Sequence, residues 1–252
     1  MPVLPGAEPY SHQGGPTGVL LCHGFTGCPQ SLRPWAEYLA AAGLTVSLPR
    51  LPGHGTTWQE MARTRWEDWY AEVERAFDEL RSGCAEIFVM GLSMGGCLAL
   101  RLAELRKEAV AGLVLVNPSV TADTKLFLLA PVLKLVVPSL KGVGSDIKKD
   151  GVTELAYDRT PVKAAATLPG LWRVTTQNLG EVSAPVLCYR SAADHVVGPG
   201  SLQILRRELP AGQLEVRECP DSYHVATLDN DAETIFAGSL DFVRSHSHAG
   251  KE

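Results

Sequence analysis

The chain alternates short apolar runs with segments of helical periodicity, and this alternation restricts its fold more than any other feature. Nearly continuous apolar strands separated by helices are typical of a parallel sheet that is covered on both faces. The predicted strands are Gly18–Cys22, Thr45–Leu48, Glu86–Met90, Gly112–Asn117, Pro185–Arg190 and Leu214–Cys219. The predicted helices are Pro29–Ala42, Arg65–Ser82, Met94–Leu105, Gly200–Glu208 and Ala232–His246. The pattern therefore predicts an α/β fold with a mostly parallel central sheet flanked by helices.

The alternation is interrupted once, between Pro118 and Ala184. A gap of about 65 residues is too long for a simple loop, so we predict an insertion with its own structure. The insertion contains the most apolar segment of the chain, Leu126–Leu140. We therefore expect one domain built from residues 1–117 and 184–252, with residues 118–183 inserted into it.

Composition excludes several classes of protein. The formal net charge is −5, and the longest basic block is Lys148-Lys149, so we expect no nucleic-acid partner. Nowhere do 18 apolar residues follow one another, so no segment of the sequence predicts a membrane span. The remaining classes are globular enzymes and binding proteins.

Cysteine usage bears on the compartment. None of the six cysteines forms a C-x-x-C motif, and most lie in or beside apolar runs, which favours reduced core residues. Cys22 and Cys28 would bridge only in an oxidising compartment, and the segment Met1–Pro5 has neither the basic region nor the apolar region of a secretion signal. We therefore expect a cytoplasmic protein. The cysteines are Cys22, Cys28, Cys84, Cys97, Cys188 and Cys219.

The most informative motif is G-x-S-x-G in the segment Gly91–Gly96, between a predicted strand and a predicted helix. A serine in so tight a turn needs neighbours without bulk, and the turn lifts its hydroxyl above the sheet at the N-terminus of a helix. Ser93 is therefore the predicted nucleophile. The alternative is an incidental glycine turn with a serine that caps the helix.

Attack on an ester carbonyl creates an oxyanion, which requires two oriented N–H donors. The residue after the nucleophile, Met94, supplies one, and the glycine-rich turn after the first strand supplies the other, for which we choose Phe25. His23 in this turn and His54 in the turn Leu51–Gly55 are interpreted as structural hydrogen-bonding residues.

A serine nucleophile needs an imidazole base that a carboxylate orients. His224 follows the last predicted strand and precedes the last helix, where a base reaches the edge of the sheet that bears Ser93. Asp194, after the preceding strand, is the preferred acid. Asp123 and Asp229 remain alternatives, although Asp229 also suits a helix cap.

Together these motifs resemble the α/β-hydrolase superfamily, and within it the bacterial carboxylesterase and monoacylglycerol lipase group. The resemblance covers nearly the whole chain. It implies the triad Ser93, Asp194 and His224, the oxyanion donors Phe25 and Met94, and a small cap formed by residues 118–183. Tyr223 departs from the group, where a small residue is more usual. The motifs are His23–Gly27, Leu51–Gly55, Gly91–Gly96, Asp194–Val197, Ser222–His224, Ser145–Lys148 and Tyr157–Pro161.

By the same resemblance, Ile147 and Glu154 are expected to face the substrate from the cap, with an outward-facing pair as the alternative. The apolar segment Leu126–Leu140 indicates core packing, an acyl-binding pocket or, with Lys125, Lys134 and Lys141 around it, contact with lipid. An apolar acyl chain is the substrate group that suits it best.

These features predict a serine esterase whose substrates are monoacylglycerols or other single-chain esters. No metal or organic cofactor is expected, since the sequence has no HExxH, no cluster of Cys and His ligands and no GxGxxG after a strand. Thioester hydrolysis, acyl transfer and C–C bond hydrolysis on the same triad remain open, as does a non-catalytic ligand-binding protein. We further expect a monomer or homodimer, with transient contact between the cap and a membrane surface.

Overall fold

The computed structural model describes residues 2–122, 137–142 and 144–248. Its described strands are β1 (Tyr10–His12), β2 (Thr17–Cys22), β3 (Thr45–Leu48), β4 (Glu86–Leu92), β5 (Gly112–Val116), β6 (Ser139–Lys141), β7 (Arg159–Pro161), β8 (Val186–Ser191) and β9 (Leu214–Cys219). Seven of them form the central sheet in the order β1-β3-β2-β4-β5-β8-β9, in which β1 pairs with β3 antiparallel and all other pairs are parallel. The predicted, mostly parallel sheet is confirmed.

Helices cover the sheet on both faces, also as predicted. They are α1 (Arg33–Ala41), α2 (Trp58–Met61), α3 (Trp66–Arg81), α4 (Met94–Arg106), α5 (Val162–Ala165), α6 (Leu168–Thr176), α7 (Gly200–Glu208) and α8 (Ala232–His246). Helix α3 shows why they form, since its buried residues recur at helical spacing and make one apolar stripe. These residues are Trp69, Val73, Ala76, Phe77 and Leu80.

Strand β4 shows how two cores arise from one sheet. Successive side chains of a strand point to opposite faces. Ile87 and Val89 therefore join the core that contains α3 and α4, whereas Phe88 and Met90 join the core that contains α1 and α8. Both faces are buried, so the strand is continuously apolar and carries no polar alternation.

Most predicted boundaries agree with the structure, and β3, β9, α7 and α8 agree to the residue. The exceptions have local causes. Helix α1 begins at Arg33 because the residues Pro29–Ser31 form a 3-10 turn before it. Strand β1 was not predicted, because the short sequence Tyr10-Ser11-His12 has no apolar run. It is an edge strand that needs only β3 as a partner.

The predicted insertion contains the two-stranded antiparallel sheet of β6 and β7, followed by α5 and α6. Leu171 and Trp172 of α6 pack into the same core as α4. The assignment of the whole segment 118–183 to a cap stays a prediction. Residues 123–136 and 143 lie outside the described residues, and with them Asp123, Lys125, Lys134 and most of Leu126–Leu140.

All six cysteines are free thiols, and five of them are buried. Burial raises the pKa of the Cys22 thiol to about 12 and that of the Cys28 thiol to about 11. Within residues 2–122, 137–142 and 144–248, no helix combines the length and the apolar character that a bilayer crossing requires.

Candidate active site

Ser93 occupies a strained turn between β4 and α4. Its φ of 56° and ψ of −120° lie in a region that L-residues with a side chain rarely adopt, which costs about 1–3 kcal/mol and indicates a functional constraint. The turn is closed by hydrogen bonds from the Ser93 N–H to the Val116 carbonyl and from the Gly96 N–H to the Ser93 carbonyl, both 3.0 Å long.

The glycines around Ser93 are required by close contacts rather than by their own backbone angles. A Cβ atom on Gly95 would lie 1.9 Å from the Cys22 carbonyl oxygen, and one on Gly91 would lie 2.4 Å from the Gly95 carbonyl oxygen. No side chain fits at either position. The end of β2 can therefore approach the start of α4 closely enough to place the turn after β2 beside Ser93.

His224 and Asp194 meet at the carboxyl end of the sheet. His224 Nδ1 lies 3.0 Å from Asp194 Oδ2, and the Asp194 side chain is fully buried. Asp194 Oδ1 accepts hydrogen bonds from the Val196 and Val197 N–H groups at 2.9 and 2.8 Å. Burial by itself would raise the pKa of Asp194. The hydrogen bond and charge of His224, together with these amides, outweigh burial and hold the pKa below its ordinary value.

The loop that carries His224 is held from two sides by residues that sequence analysis did not assign to the site. Asn117, at the end of β5, donates from Nδ2 to the His224 carbonyl at 2.8 Å. Asp146, from the insertion, accepts a hydrogen bond from the His224 backbone N–H on Oδ2 at 3.0 Å. The other carboxylate oxygen of Asp146, Oδ1, lies 2.8 Å from His195 Nδ1. Asp146 therefore connects the loop that carries His224 with the loop that carries Asp194 and His195.

The alternative acid Asp229 is occupied elsewhere. Its carboxylate accepts the N–H groups of Lys148, Lys149 and Tyr223 at 2.7 to 2.9 Å, so it organises the loop before His224 and ties the insertion to it. Asp123, the other alternative, lies outside the described residues. Of the described candidates, Asp194 is the carboxylate that contacts the His224 ring.

Phe25 and Met94, the predicted oxyanion donors, line the same cavity as Ser93. A Cβ atom on Gly24 would lie 3.5 Å from Ser93 Cβ, which shows how closely the turn that holds Phe25 approaches the serine. Among the described residues, neither the Phe25 N–H nor the Met94 N–H donates to a protein acceptor. Two free N–H groups beside a nucleophile are what an oxyanion requires.

The two other histidines near this turn are structural. His23 lies with Nδ1 3.0 Å from the Gly24 carbonyl and accepts the Leu51 N–H on Nε2 at 3.1 Å, so both ring nitrogens are used. Burial lowers the pKa of His23 to about 4 and that of His54 well below its ordinary value. Buried imidazoles that bond to the backbone of these turns agree with the interpretation from sequence.

Ser93, His224 and Asp194 line a single cavity of about 620 Å³. Glu154, predicted to face substrate, lies on its wall, and burial raises the pKa of its carboxyl group to about 7 against the opposing effect of the His224 charge. Ile147, predicted to accompany it, is not among the described residues of the wall and packs against the core on the α1 side of the sheet.

The remaining wall is mostly apolar. It is formed by both the core and the insertion, with Leu140 and Val196 exposed at 38% and 39%. Tyr223 packs its ring edge-on against His195 and is not among the described wall residues. In the part of the chain that the structure describes, no three His, Cys, Asp or Glu side chains are grouped to bind a metal ion. The apolar wall residues from the insertion and the acid loop are Leu140, Val162, Ala165, Leu168, Trp172, Val196 and Val197.

Comparison with known proteins gives consistent results. The family model described as serine aminopeptidase, S33, matches residues 17–231. The chain is 44% identical to the thermostable monoacylglycerol lipase of Bacillus sp. (strain H-257) over 247 residues, which cover 98% of each chain. It is 26% identical to a carboxylesterase of Bacillus subtilis (strain 168) over 94% of this chain and 96% of the relative.

Solved structures extend the likeness to the backbone. A structure from work on LipS and LipT, two metagenome-derived lipolytic enzymes, superposes with a TM-score of 0.94 at 42% identity and covers 97% of this chain and 100% of its own. The monoacylglycerol lipase of Paleococcus ferrophilus superposes with a TM-score of 0.76 at 23% identity over 95% of this chain and 100% of its own, a likeness of fold.

Proposed function

Because the chain belongs to the S33 serine aminopeptidase family of α/β-hydrolases, we propose that it hydrolyses carboxylic esters as a serine hydrolase of EC 3.1.1 type. Its proposed substrates are monoacylglycerols or similar single-chain esters. The observation that carries the proposal is the 3.0 Å contact between His224 and Asp194 in the cavity that Ser93 also lines. The names of the full-length relatives support an ester rather than a peptide substrate.

In the proposed reaction, the Ser93 oxygen attacks the ester carbonyl carbon while His224 Nε2 accepts the hydroxyl proton. Asp194 keeps the proton of the ring on Nδ1 and stabilises the imidazolium that forms. The carbonyl oxygen becomes an oxyanion, to which the Phe25 and Met94 N–H groups donate. His224 then gives its proton to the departing alcohol oxygen, and the acyl group remains on Ser93. Water activated by His224 releases the acid.

The cavity wall supports an apolar acyl group. Side chains such as Leu168 and Val162 offer no hydrogen-bonding partner for a sugar or a peptide backbone across most of the surface. Among the polar residues of the wall, Glu154 is the one that we propose contacts the free hydroxyls of the alcohol part. A Cβ atom on Gly27 would lie 2.6 Å from Glu154 Oε1, so a glycine there leaves the space that this carboxyl group occupies.

The substrate class is tested with p-nitrophenyl esters, monoacylglycerols of increasing chain length, acyl-CoA and an aminoacyl anilide. We expect the esters to be hydrolysed and kcat/KM to increase with acyl length until the chain exceeds the cavity. A higher kcat/KM for acyl-CoA or for the anilide would instead favour thioester or peptide hydrolysis. Failure of a fluorophosphonate probe to label Ser93 would favour a ligand-binding protein with this fold.

Glu154→Gln should remove a pH-dependent preference for monoacylglycerol. The measured quantity is kcat/KM for a monoacylglycerol divided by kcat/KM for the p-nitrophenyl ester of the same acid, a ratio in which titration of the shared triad cancels. The Glu154 pKa is raised to about 7, so the group is protonated below and ionised above this pH. A carboxylate accepts hydrogen bonds from hydroxyl groups more strongly than a protonated carboxyl group does. The wild-type ratio should therefore rise about fivefold as the pH increases through 7.

In Glu154→Gln the ratio should stay flat and low across the same range. Glu37→Gln, which changes an exposed glutamate of α1, is the matched control and should follow the wild type. Equal pH dependence in the wild type and Glu154→Gln would remove Glu154 from the proposed alcohol site.

Asp146→Ala should lower kcat/KM for a p-nitrophenyl ester roughly tenfold, because it removes the acceptor of the His224 backbone N–H and lets the loop that carries His224 move. The effect should fall on kcat more than on KM, since the Asp146 carboxylate is engaged by the backbone N–H groups of His224 and His195. Asp150→Ala removes an exposed carboxylate from the same segment and is the control. An equal loss in both variants would indicate a general effect of charge.

We also propose a cytoplasmic protein, monomeric or homodimeric, that contacts lipid surfaces transiently. The support is the exposure of Leu140 and Val196 beside the cavity, with Lys141 next to Leu140. Apolar side chains bordered by a cation suit an anionic lipid surface. Co-sedimentation with anionic and with neutral vesicles tests this contact, and Leu140→Ser should reduce the bound fraction.

A further inference from the structure

The carboxylate of Asp194 has a cationic partner besides His224. Arg190, near the end of β8, donates from Nη1 to Asp194 Oδ2 at 2.8 Å. This is the same oxygen that lies 3.0 Å from His224 Nδ1. The guanidinium is largely withdrawn from solvent, with 16% of the Arg190 side chain exposed and none of the Asp194 side chain. The pair is therefore much less screened than a surface ion pair.

Arg190 also holds the loop that follows Asp194. Its Nη2 donates to the Val197 carbonyl, while Asp194 Oδ1 accepts the Val197 N–H. One guanidinium thus spans the loop from the carboxylate to Val197. A neutral side chain of similar size could fill this space, but it would not place a positive charge on the oxygen that His224 uses.

Two other carboxylates act on His224, and a histidine contacts one of them. Asp146 accepts its N–H, Glu154 acts on its charge across the cavity, and His195 contacts Asp146. On the neighbouring strand β9, Glu218 pairs in register with Arg190 and is exposed. Among the described residues in these contacts, Arg190 is thus the side chain that carries a permanent positive charge.

We infer that Arg190 is a positioning residue that sets the pH at which the triad becomes active, by sharing the Asp194 carboxylate with His224. A carboxylate that is partly neutralised by a guanidinium stabilises the imidazolium less than an unshared carboxylate does. The acid limb of the pH profile of kcat/KM should therefore lie at lower pH than it would without Arg190. The inference rests on the proposed function, because it concerns the pH dependence of that same reaction.

The test is the pH profile of kcat/KM for an uncharged short-chain ester, followed by pH-stat titration. In Arg190→Met the acid limb should move to higher pH by about one unit. The Arg190 guanidinium and the His224 imidazole contact the same Asp194 oxygen, so they lie within about 6 Å of each other and their interaction is only partly screened. Arg190→Lys keeps the positive charge and should retain the wild-type limb. Arg217→Met removes an arginine of the adjacent strand β9 that contacts Glu215 and Tyr189, and should also retain it.

The outcomes separate the possibilities. An unchanged acid limb in Arg190→Met, or equal shifts in the Met and Lys variants, would overturn the inference and leave Arg190 as a loop anchor. If Arg190→Met does not fold, the acid limbs of Arg190→Gln and Arg190→Lys are compared in its place. Only the lysine keeps the positive charge, so this comparison tests the same inference. Near-wild-type hydrolysis by Ser93→Ala would instead reject the proposed function, whatever the profiles show.

Discussion

Ser93→Ala is expected to lower kcat for ester hydrolysis by a factor of about 10⁵ or more, and to abolish labelling by a fluorophosphonate probe. Without the hydroxyl there is no acyl-enzyme, and His224 and Asp194 can only assist direct attack by water. The oxyanion donors and the binding cavity remain, so a small residual rate above the uncatalysed reaction is expected. The measurement is single-turnover and steady-state hydrolysis of a p-nitrophenyl ester.

The same variant should fold normally. Alanine at φ 56° is about as strained as serine there, and the substitution adds no atoms. The melting temperature should therefore stay within a few degrees of the wild type. Ser82→Ala, which changes an exposed serine after α3, is the matched control and should keep full activity. Near-wild-type turnover by Ser93→Ala would eliminate the proposed mechanism.

Gly95→Ala should have the largest effect on stability. The added Cβ atom would lie 1.9 Å from the Cys22 carbonyl oxygen and 2.7 Å from the His23 carbonyl oxygen, and both obstacles are backbone. Helix α4 must then move away from the end of β2. We expect a loss of about 3 kcal/mol or more in the free energy of unfolding, a large share of the total stability of an ordinary domain.

The change should appear as a fall of about 10 °C in melting temperature, or as failure to express in soluble form. Gly83→Ala provides the comparison, because a Cβ atom there meets nothing within 4 Å. It should alter the free energy of unfolding by less than about 0.5 kcal/mol. A Gly95→Ala protein as stable as Gly83→Ala would contradict the close packing of α4 on the end of β2.

Any Gly95→Ala protein that does fold should also lose activity. The same movement of α4 would displace the Met94 N–H, and the push on Cys22 and His23 would displace the turn that holds Phe25. A misplacement of about 1 Å can cost a hundredfold in rate. Activity and stability should therefore fall together at this position.

The sequence alone was sufficient for the main elements, because their signals are local. The apolar runs of β3 and β9 and the helical periodicity of α7 and α8 predict their bounds to the residue. Gly91 likewise reports a tight turn, because the obstacle to a side chain there is the carbonyl oxygen of Gly95, a near neighbour along the chain. Burial on both faces makes the central strands β2, β4 and β5 apolar, so a parallel sheet can be inferred before any contact is known.

Contacts between distant segments could not be read in this way. Strand β1 forms because β3 presents an open edge with which it can pair. Helix α6 lies in the insertion, and no pattern in the sequence indicates that it packs against α4. Ile147 shows the same limit, since a resemblance placed it toward the substrate whereas its side chain packs against the core.

What the sequence by itself determined, then, is the order of strands and helices and the set of residues able to do the chemistry. Tertiary structure decided how Asp194 and Asp229 divide their roles, since Asp194 meets an imidazole whereas Asp229 accepts four backbone N–H groups. It also decided that Asn117, Asp146 and Arg190 surround the pair. The physical reason is that a carboxylate takes its function from the donors that surround it, and these come from segments far apart along the chain.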